Sequence, residues 1–263
     1  MKMPHESLSA SIVMNSAFAF QRFAVRLMGQ SPRASLASGE SIVRHLHMTP
    51  YATVILDGGY EEAGETGRWR VSAGDVIIHG ALAAHRNLAP RGARVLNLPL
   101  PQTERWSRCG SIGDPDLIAR TAEHDTAEAT AALMQSWRPT HTPLADLPDL
   151  LATTLAEPNG AGIDAWSKSH GVSRQTAFRA FRAAYGVCPC RFRLEARARR
   201  AWRMIVDTTA SLADISVSIG FADQAHMQRA VKALTGGTPG AWRRLPITQH
   251  SFNTPRLVKH QHW

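Results

Sequence analysis

Two short polar segments in the C-terminal half carry residues suited to recognising DNA bases. Arginine can pair bidentately with guanine, and glutamine can pair in the same way with adenine, across the major groove. These segments contain Arg174, Gln175, Thr176 and Arg179 in the first case, and Gln224, Ala225, His226 and Arg229 in the second. For each of them, a phosphate contact or simple exposure to solvent remains the alternative. Hydroxyl and cationic side chains close by suit phosphate oxygens instead, and these are Ser173, Arg182, Lys232, Arg243 and Arg244.

Three histidines in the N-terminal half could bind a metal ion. His45 and His47 would point to the same side of a strand, because alternate residues of a strand share a face. His85 carries a further imidazole later in the chain. Three imidazoles can hold a zinc-like ion. A metal-free effector pocket lined by some of these residues, and ordinary packing inside a barrel, remain the alternatives.

The base-contacting segments require rigid helices to position them, and the sequence predicts two helix-turn-helix units over residues 163–185 and 211–235. In each unit a glycine, Gly171 or Gly220, ends a short helix, and an N-cap residue, Ser173 or Asp223, begins the next one. A helix over about 189–206, roughly 27 Å long, joins the units. Its arginines are expected to face mostly solvent or phosphate, and they are Arg191, Arg193, Arg197, Arg199, Arg200 and Arg203.

The histidines lie in a region of short apolar runs separated by glycine and aspartate, over residues 41–100. One of these runs is expected to end in a turn at Asp57-Gly58-Gly59. This spacing is typical of an antiparallel barrel or sandwich. The pattern becomes helical over residues 114–137 and 147–155, and Glu157-Pro158-Asn159-Gly160 marks a boundary. Three glutamates are expected on a solvated loop near a hairpin tip: Glu61, Glu62 and Glu65.

Charge is distributed unevenly along the chain. Residues 160–263 hold 16 Lys and Arg against five Asp and Glu, whereas residues 1–159 hold 14 against 16. A basic half rich in arginine favours a polyanionic partner. The three cysteines have no metal-site spacing and fit a reducing cytoplasm. No run reaches the roughly 18 apolar residues of a membrane span, so no membrane partner is expected. The sequence contains no phosphate loop, nucleophile elbow or dinucleotide fingerprint, and no enzymatic activity is predicted.

The C-terminal half resembles the AraC/XylS family of bacterial transcription regulators. The resemblance rests on Gly-Phe-Ala-Asp-Gln-Ala-His-Met-x-Arg-Ala from Gly220 to Ala230, followed by residues 235–243. The first unit agrees through Gly171-Val172-Ser173 and Gly186-x-Cys188-Pro189, although Val231 and Leu234 stand where the family often has Phe. The resemblance implies two helix-turn-helix subdomains that enter successive major grooves on one face of DNA. By family position it also implies the base-contacting residues, which are Arg174, Gln175, Thr176 and Arg179 in the first unit and Gln224, Ala225, His226 and Arg229 in the second.

The N-terminal half resembles the cupin barrels. The resemblance rests on Gly39 followed by His45-Leu46-His47, and on Gly74-Asp75 followed by His79 and His85. In metal-binding cupins the first histidine pair, a glutamate a few residues later and a histidine of the second motif share one metal, so the resemblance implies His45, His47 and His85 as ligands. Here Tyr51 and Ala52 occupy the position of that glutamate, so the metal site implied by the resemblance lacks one ligand.

The expected fold class is α+β multidomain, with an N-terminal cupin-like β-barrel and following helices, and a C-terminal all-α double helix-turn-helix region. The expected divisions are a loose N-terminal extension (1–38), a sensing barrel (39–100), a helical linker or dimerisation region (101–159), the DNA-binding domain (160–245) and a flexible tail (246–263). The expected function is a cytoplasmic, sequence-specific transcription factor at promoter DNA. The AraC/XylS resemblance implies an activator that recruits RNA polymerase, although some members of that family repress. The N-terminal barrel is expected to sense a small-molecule effector or to support a homodimer. The alternatives are a metal-dependent cupin enzyme fused to a DNA-binding module, and an architectural protein without sequence preference.

Overall fold

The computed structural model describes residues 32–101, 108–139 and 143–244. Within these ranges the N-terminal half is an antiparallel sheet of eight strands. In chain order they are β1 (Arg33–Leu36), β2 (Glu40–Leu46), β3 (Tyr51–Gly64), β4 (Gly67–Ser72), β5 (Asp75–His79), β6 (Ala84–Ala89), β7 (Ala93–Pro99) and β8 (Arg108–Ser111).

The long strand β3 belongs to two layers of this sheet. Its first part pairs with β5 and β7, and its second part pairs with β4 and β6. The register shifts between Ile55 and Asp57, where the sequence signals a turn at Asp57-Gly58-Gly59. An irregularity of this kind bends a strand without ending it. The expected turn is therefore wrong, because the chain continues in β3 and carries Glu62 into the interior.

Three helices follow the sheet: α1 (Pro115–His124), α2 (Thr126–Ser136) and α3 (Leu147–Ala156). Aspartates cap the first two, since Asp114 accepts a hydrogen bond from the amide of Leu117 and Asp125 accepts from Ala127 and Glu128. Such side chains satisfy amides that have no partner inside the helix. The buried sides of α1 and α2 pack on one apolar core of the sheet.

The C-terminal half is entirely helical over its described residues. It consists of α4 (Ile163–Ser169), α5 (Arg174–Tyr185), α6 (Pro189–Asp207), α7 (Leu212–Ser218), α8 (Gln224–Thr235) and α9 (Pro239–Arg244). Together with the sheet and its helices, this arrangement confirms the expected α+β fold class with an all-α double helix-turn-helix region. None of the helices in the described ranges is both long and apolar enough to cross a membrane.

Two expected boundaries differ from the structure. Residues 33–36, expected in a loose extension, form β1, because their backbone pairs with residues 93–96 of β7. Residues 108–111, expected in a helical linker, form β8 at the edge of the sheet next to β5. Local sequence gives little sign of either strand, since both are only four residues long. The rest of the predicted extension and the predicted tail, residues 1–31 and 246–263, lie outside the described residues.

The arginines of α6 do not mainly face solvent or phosphate, so that prediction is wrong for most of them. Arg199 and Arg203 are buried and pair with Glu65, which was expected on a solvated loop. Arg191 pairs with Glu195 one turn along the helix. The remaining three donate to backbone carbonyls of the preceding segment, Arg193 to Gly160, Arg197 to Pro158 and Arg200 to Ala156. Much of the positive charge of α6 therefore holds the two halves together.

Candidate nucleic-acid interface and imidazole cluster

The first helix-turn-helix unit is formed by α4 and α5. Gly171 in the turn has φ of +65°, a left-handed conformation that glycine adopts without steric cost. Ser173 then begins α5, and its hydroxyl accepts a hydrogen bond from the amide of Thr176 at 3.0 Å. The two hydroxyls of Ser173 and Thr176 also bond to each other at 2.8 Å. Ser173 was predicted to contact phosphate, and in the structure its hydroxyl already caps the helix.

The outward side of α5 presents the predicted base-contacting residues together. Arg174, Gln175, Thr176 and Arg179 are all exposed, as is Arg182 one turn further on. Arg174 forms an ion pair with Asp164 at 3.1 Å, but both side chains are about 70% exposed. An ion pair so open to water contributes little free energy. Arg174 can therefore exchange this partner for a DNA base or phosphate at small cost.

The second unit, formed by α7 and α8, repeats the arrangement. Gly220 in its turn has φ of +78°, and a Cβ atom there would lie 2.9 Å from the carbonyl oxygen of Pro158. Asp223 caps α8 by accepting a hydrogen bond from the amide of His226 at 2.6 Å. Both the backbone angle and the close approach require glycine at the turn. The cap and the turn together fix where the second recognition helix begins.

The predicted base-contacting residues of the second unit are exposed with one exception. Gln224, Ala225 and Arg229 face solvent, whereas His226 is half-buried with its ring edge-on to Phe221 at 5.2 Å between centroids. Three predicted phosphate contacts, Lys232, Arg243 and Arg244, are exposed as well. Arg243 additionally donates to the carbonyl of Ala210 at 2.7 Å, which links α9 to the start of α7.

Helix α6 carries part of the apolar core of both units. In the first unit Phe192 packs edge-on against Phe181 and Tyr185 of α5. In the second unit Trp202 packs edge-on against Trp242 of α9, with centroids 5.8 Å apart. Because one rigid helix anchors both cores, the spacing between α5 and α8 is set by the fold.

In the N-terminal half, the structure brings the three predicted metal ligands together. They form one group with His79 and Glu62, which we call the imidazole cluster. The ring centroids of His45 and His85 lie 4.4 Å apart, and those of His47 and His85 lie 5.4 Å apart. One potential ligand atom from each of His45, His47 and His85 lies within 4.8 Å of the others. Tyr51, which stands where the resemblance called for glutamate, packs between the rings of His47 and His79.

Two further residues of this cluster, Glu62 and His79, were not among the metal ligands predicted from the sequence. Glu62 is 1% exposed, and its carboxylate lies 3.5 Å from Nδ1 of His79. These two residues and His85 form a second set whose ligand atoms lie within 4.8 Å of one another. Asn87 donates a hydrogen bond to the other carboxylate oxygen at 3.0 Å. The apparent turn at Gly58-Gly59 concealed Glu62, because it placed the residue beyond the end of the strand.

Burial determines the protonation of this cluster. Desolvation lowers the pKa of His45, lowers that of His47 to about 3, and holds those of His79 and His85 well below the usual value. Desolvation also raises the pKa of Glu62 to about 8. The four imidazoles are therefore neutral at neutral pH, the form in which histidine binds metals.

Hydrogen bonds orient some of these rings. Nδ1 of His45 lies 2.9 Å from the carbonyl oxygen of Val43, which can only accept, so this nitrogen donates and Nε2 keeps its lone pair. A metal-binding histidine is commonly held in this way by its second nitrogen. Nδ1 of His85 is buried and has no hydrogen-bond partner among the described residues. A buried polar atom without a partner carries a desolvation cost that a ligand could offset.

Residues 166–245 match the family model described as a helix-turn-helix domain. Two such units, with exposed polar residues at the start of each second helix, define a DNA-binding protein of the helix-turn-helix class. The domain is of the AraC type, and the protein is a DNA-binding transcription regulator.

Comparison with solved structures gives partial similarities. An AraC-type transcriptional regulator from Chromobacterium violaceum is 26% identical, over 37% of this chain and 88% of its own, with a TM-score of 0.34. ToxT from Vibrio cholerae, bound to an unsaturated fatty acid, is 8% identical over 80% of this chain and 93% of its own, with a TM-score of 0.36. The DNA-binding domain of AdpA in complex with a target DNA is 20% identical over 38% and 91%, with a TM-score of 0.34. These scores are too low to assign a role to any residue. A comparison with curated protein sequences found no significant match.

Proposed function

We propose that this regulator recognises a specific promoter sequence by placing α5 and α8 in two successive major grooves. The observation that carries the proposal is the exposure of two sets of polar residues on helices anchored to the same rigid helix, α6. Nineteen residues of helix span roughly 28 Å. This length is compatible with recognition helices about one DNA turn, roughly 34 Å, apart.

Within this proposal the exposed residues have two roles. Those at the helix starts contact base edges: Arg174, Gln175, Thr176 and Arg179 on α5, and Gln224, Ala225, His226 and Arg229 on α8. Phosphate contacts come from Ser173, Arg182, Lys232, Arg243 and Arg244. Arg179 and Gln224 represent the two chemistries, because both are exposed and can form bidentate pairs with guanine and with adenine, respectively.

Selection of bound fragments from random-sequence DNA by the full chain, near physiological salt, tests the proposal. We expect a motif with two conserved blocks about one helical turn apart. Salt-sensitive binding without any enriched motif would instead support the architectural alternative, because phosphate contacts alone give affinity without sequence preference.

The proposal also covers the cellular location of the protein and its binding partners. We expect a cytoplasmic regulator that activates transcription by recruiting RNA polymerase, responds to a small molecule through the N-terminal half, and forms a homodimer. A dimer contact would cover exposed apolar side chains on α1 and α2, two helices that pack on each other, and these are Leu117 and Met134. Sedimentation of wild type and a Leu117→Glu variant tests that contact, and a monomeric wild type would argue against it.

A second proposal concerns the imidazole cluster, where a divalent transition metal is the best-supported ligand. Neutral imidazoles are donors that zinc and related ions accept, and the carboxyl group of Glu62 becomes such a donor when it gives up its proton on metal binding. His45, His47 and His85 would hold the ion, and Glu62 and His79 supply the carboxylate and a further imidazole beside it. When bound, the metal would order the donors that now face one another in the barrel.

Elemental analysis of the purified full chain, followed by calorimetric titration with Zn²⁺, tests metal binding. We expect binding that is lost in His85→Ala and kept in His124→Ala, a control histidine exposed on α1. Equal binding by both variants would contradict the assignment. Absence of metal would also remove the basis for the alternative of a metal-dependent enzyme.

A further inference from the structure

We infer that the imidazole cluster is coupled to the DNA-binding half through the β2–β6 ladder, so that a divalent metal bound in the cluster changes the affinity for DNA. The inference rests on the proposed metal binding and adds how that site regulates. Its physical basis is that neighbouring residues of a strand point to opposite faces. The residues next to the clustered histidines therefore contact the other half of the protein.

Successive side chains of strand β2 face the imidazole cluster and the DNA-binding half in turn. Its inward residue His45 belongs to the cluster, and its neighbour Arg44 pairs with Glu195 of α6, with Nε 3.0 Å from Oε2. Both partners of this pair are buried, at 8% and 5% exposure. The next residue, Leu46, packs in the apolar core that contains Trp202 of α6.

Strand β6 repeats the alternation opposite β2. The register places His45 against His85 and Leu46 against Ala84. His85 lies in the cluster, whereas Ala84 packs with Leu46 in the core around Trp202. The residue after His85, Arg86, donates a hydrogen bond to the carbonyl of Ala183 on α5. Every residue from Ala84 to Arg86 thus lies against either the cluster or the DNA-binding half.

A second connection runs through Leu82, between β5 and β6. Its amide donates to the carbonyl of His47 at 2.9 Å, and its carbonyl accepts from Nε of Arg199 at 2.6 Å. Leu82 has φ of +62°, in the left-handed region that residues with a Cβ rarely adopt. Backbone strain of this kind persists only where surrounding contacts enforce it. Leu82 therefore joins a cluster histidine to α6 by a tightly constrained path.

These connections reach both helix-turn-helix units. Arg86 contacts α5 of the first unit, while Leu46, Leu82 and Ala84 share their core with Ile215 and Met227 of the second. A metal that draws His45, His47 and His85 together would move the ladder that touches both units. Since packed interiors transmit small displacements, α5 and α8 would tilt on α6 while α6 keeps their spacing, and the affinity for DNA would change.

The test measures the Kd of the full chain for its selected DNA motif, with and without saturating Zn²⁺, by fluorescence anisotropy. Wild type should show a change of at least threefold. His85→Ala should bind neither Zn²⁺ nor respond to it, and His124→Ala should behave as wild type. Arg44→Gln should bind Zn²⁺ within twofold of wild type, yet show less than half of the logarithmic change in Kd. Arg94→Gln removes the exposed pair with Asp57 and should leave the response intact.

An unchanged Kd in zinc-loaded wild type, or a full response in Arg44→Gln, would overturn the coupling. If Arg44→Gln does not fold, Arg86→Gln removes a single hydrogen bond at the surface and should reduce the response in the same direction. Calorimetry distinguishes a failure of the metal site from a failure of DNA recognition. If the chain binds DNA but no Zn²⁺, both the metal site and the coupling are overturned. A chain that binds Zn²⁺ without any DNA motif overturns sequence-specific recognition, and the same Zn²⁺ titration on random-sequence duplex then decides the coupling.

Discussion

Arg199 on α6 and Glu65 at the end of β3 form a buried ion pair, with Nη1 2.5 Å from Oε2. Arg203, one turn further along α6, binds the other oxygen of the same carboxylate at 3.0 Å. One carboxylate of the N-terminal half thus pairs with two arginines of the DNA-binding half. Without it, the two buried positive charges would lose the counter-charge that both share.

Glu65→Ala should destabilise the protein by about 3–5 kcal/mol, because removing one partner leaves buried charge uncompensated. Urea unfolding followed by circular dichroism measures the loss. Asp57→Ala, which breaks the exposed pair with Arg94, is the matched control and should stay within about 1 kcal/mol of wild type. A loss below about 1 kcal/mol for Glu65→Ala would mean that the two arginines find other partners.

The same carboxylate makes stability depend on pH. Burial alone would raise the pKa of Glu65, but Arg199 and Arg203 hold it below its usual value of 4.5. A lowered folded-state pKa gives stability that is complete above about pH 4.5 and is lost as the pH falls through the folded-state pKa. The stability difference between wild type and Glu65→Gln should therefore shrink between pH 7 and pH 3. A difference that stays constant over that range would contradict the assignment.

Arg179→Ala should cost about 1–3 kcal/mol at the preferred DNA site and relax base preference at one position, because a bidentate contact to a base is lost. Arg244→Ala should weaken binding to all sequences alike and reduce the slope of log Kd against log salt. Anisotropy titrations on the selected motif and on scrambled duplex measure both effects. Equal losses on the two duplexes for Arg179→Ala would contradict its role in base recognition.

Zinc should stabilise the folded chain if the imidazole cluster binds it. At a free Zn²⁺ concentration about 100 times the Kd, the gain is about 2.7 kcal/mol, and it appears as a higher melting temperature that a chelator reverses. His85→Ala should lose this gain, whereas His124→Ala should keep it. A rise of equal size in both variants would indicate binding elsewhere on the chain.

The helices of the DNA-binding half could be predicted because their signals are local. Ser173 and Asp223 cap their own helices within three residues, and Gly171 and Gly220 adopt the backbone angles of their own turns. The clustering of His45 and His47 was also predictable, since the two residues share a strand face. The place of Glu62 in the same cluster was not predictable, because a bulge replaced the turn expected at Gly58-Gly59.

The sequence by itself therefore determined the two helix-turn-helix units, the position of their exposed polar residues and the imbalance of charge between the halves. Only the tertiary structure decided the role of the arginines on α6, and that Glu65 and Glu62 are buried. The physical reason is distance along the chain. A cap or a turn is satisfied by neighbours, whereas the partner of Arg199 lies in another domain and leaves no mark on the residues around either one.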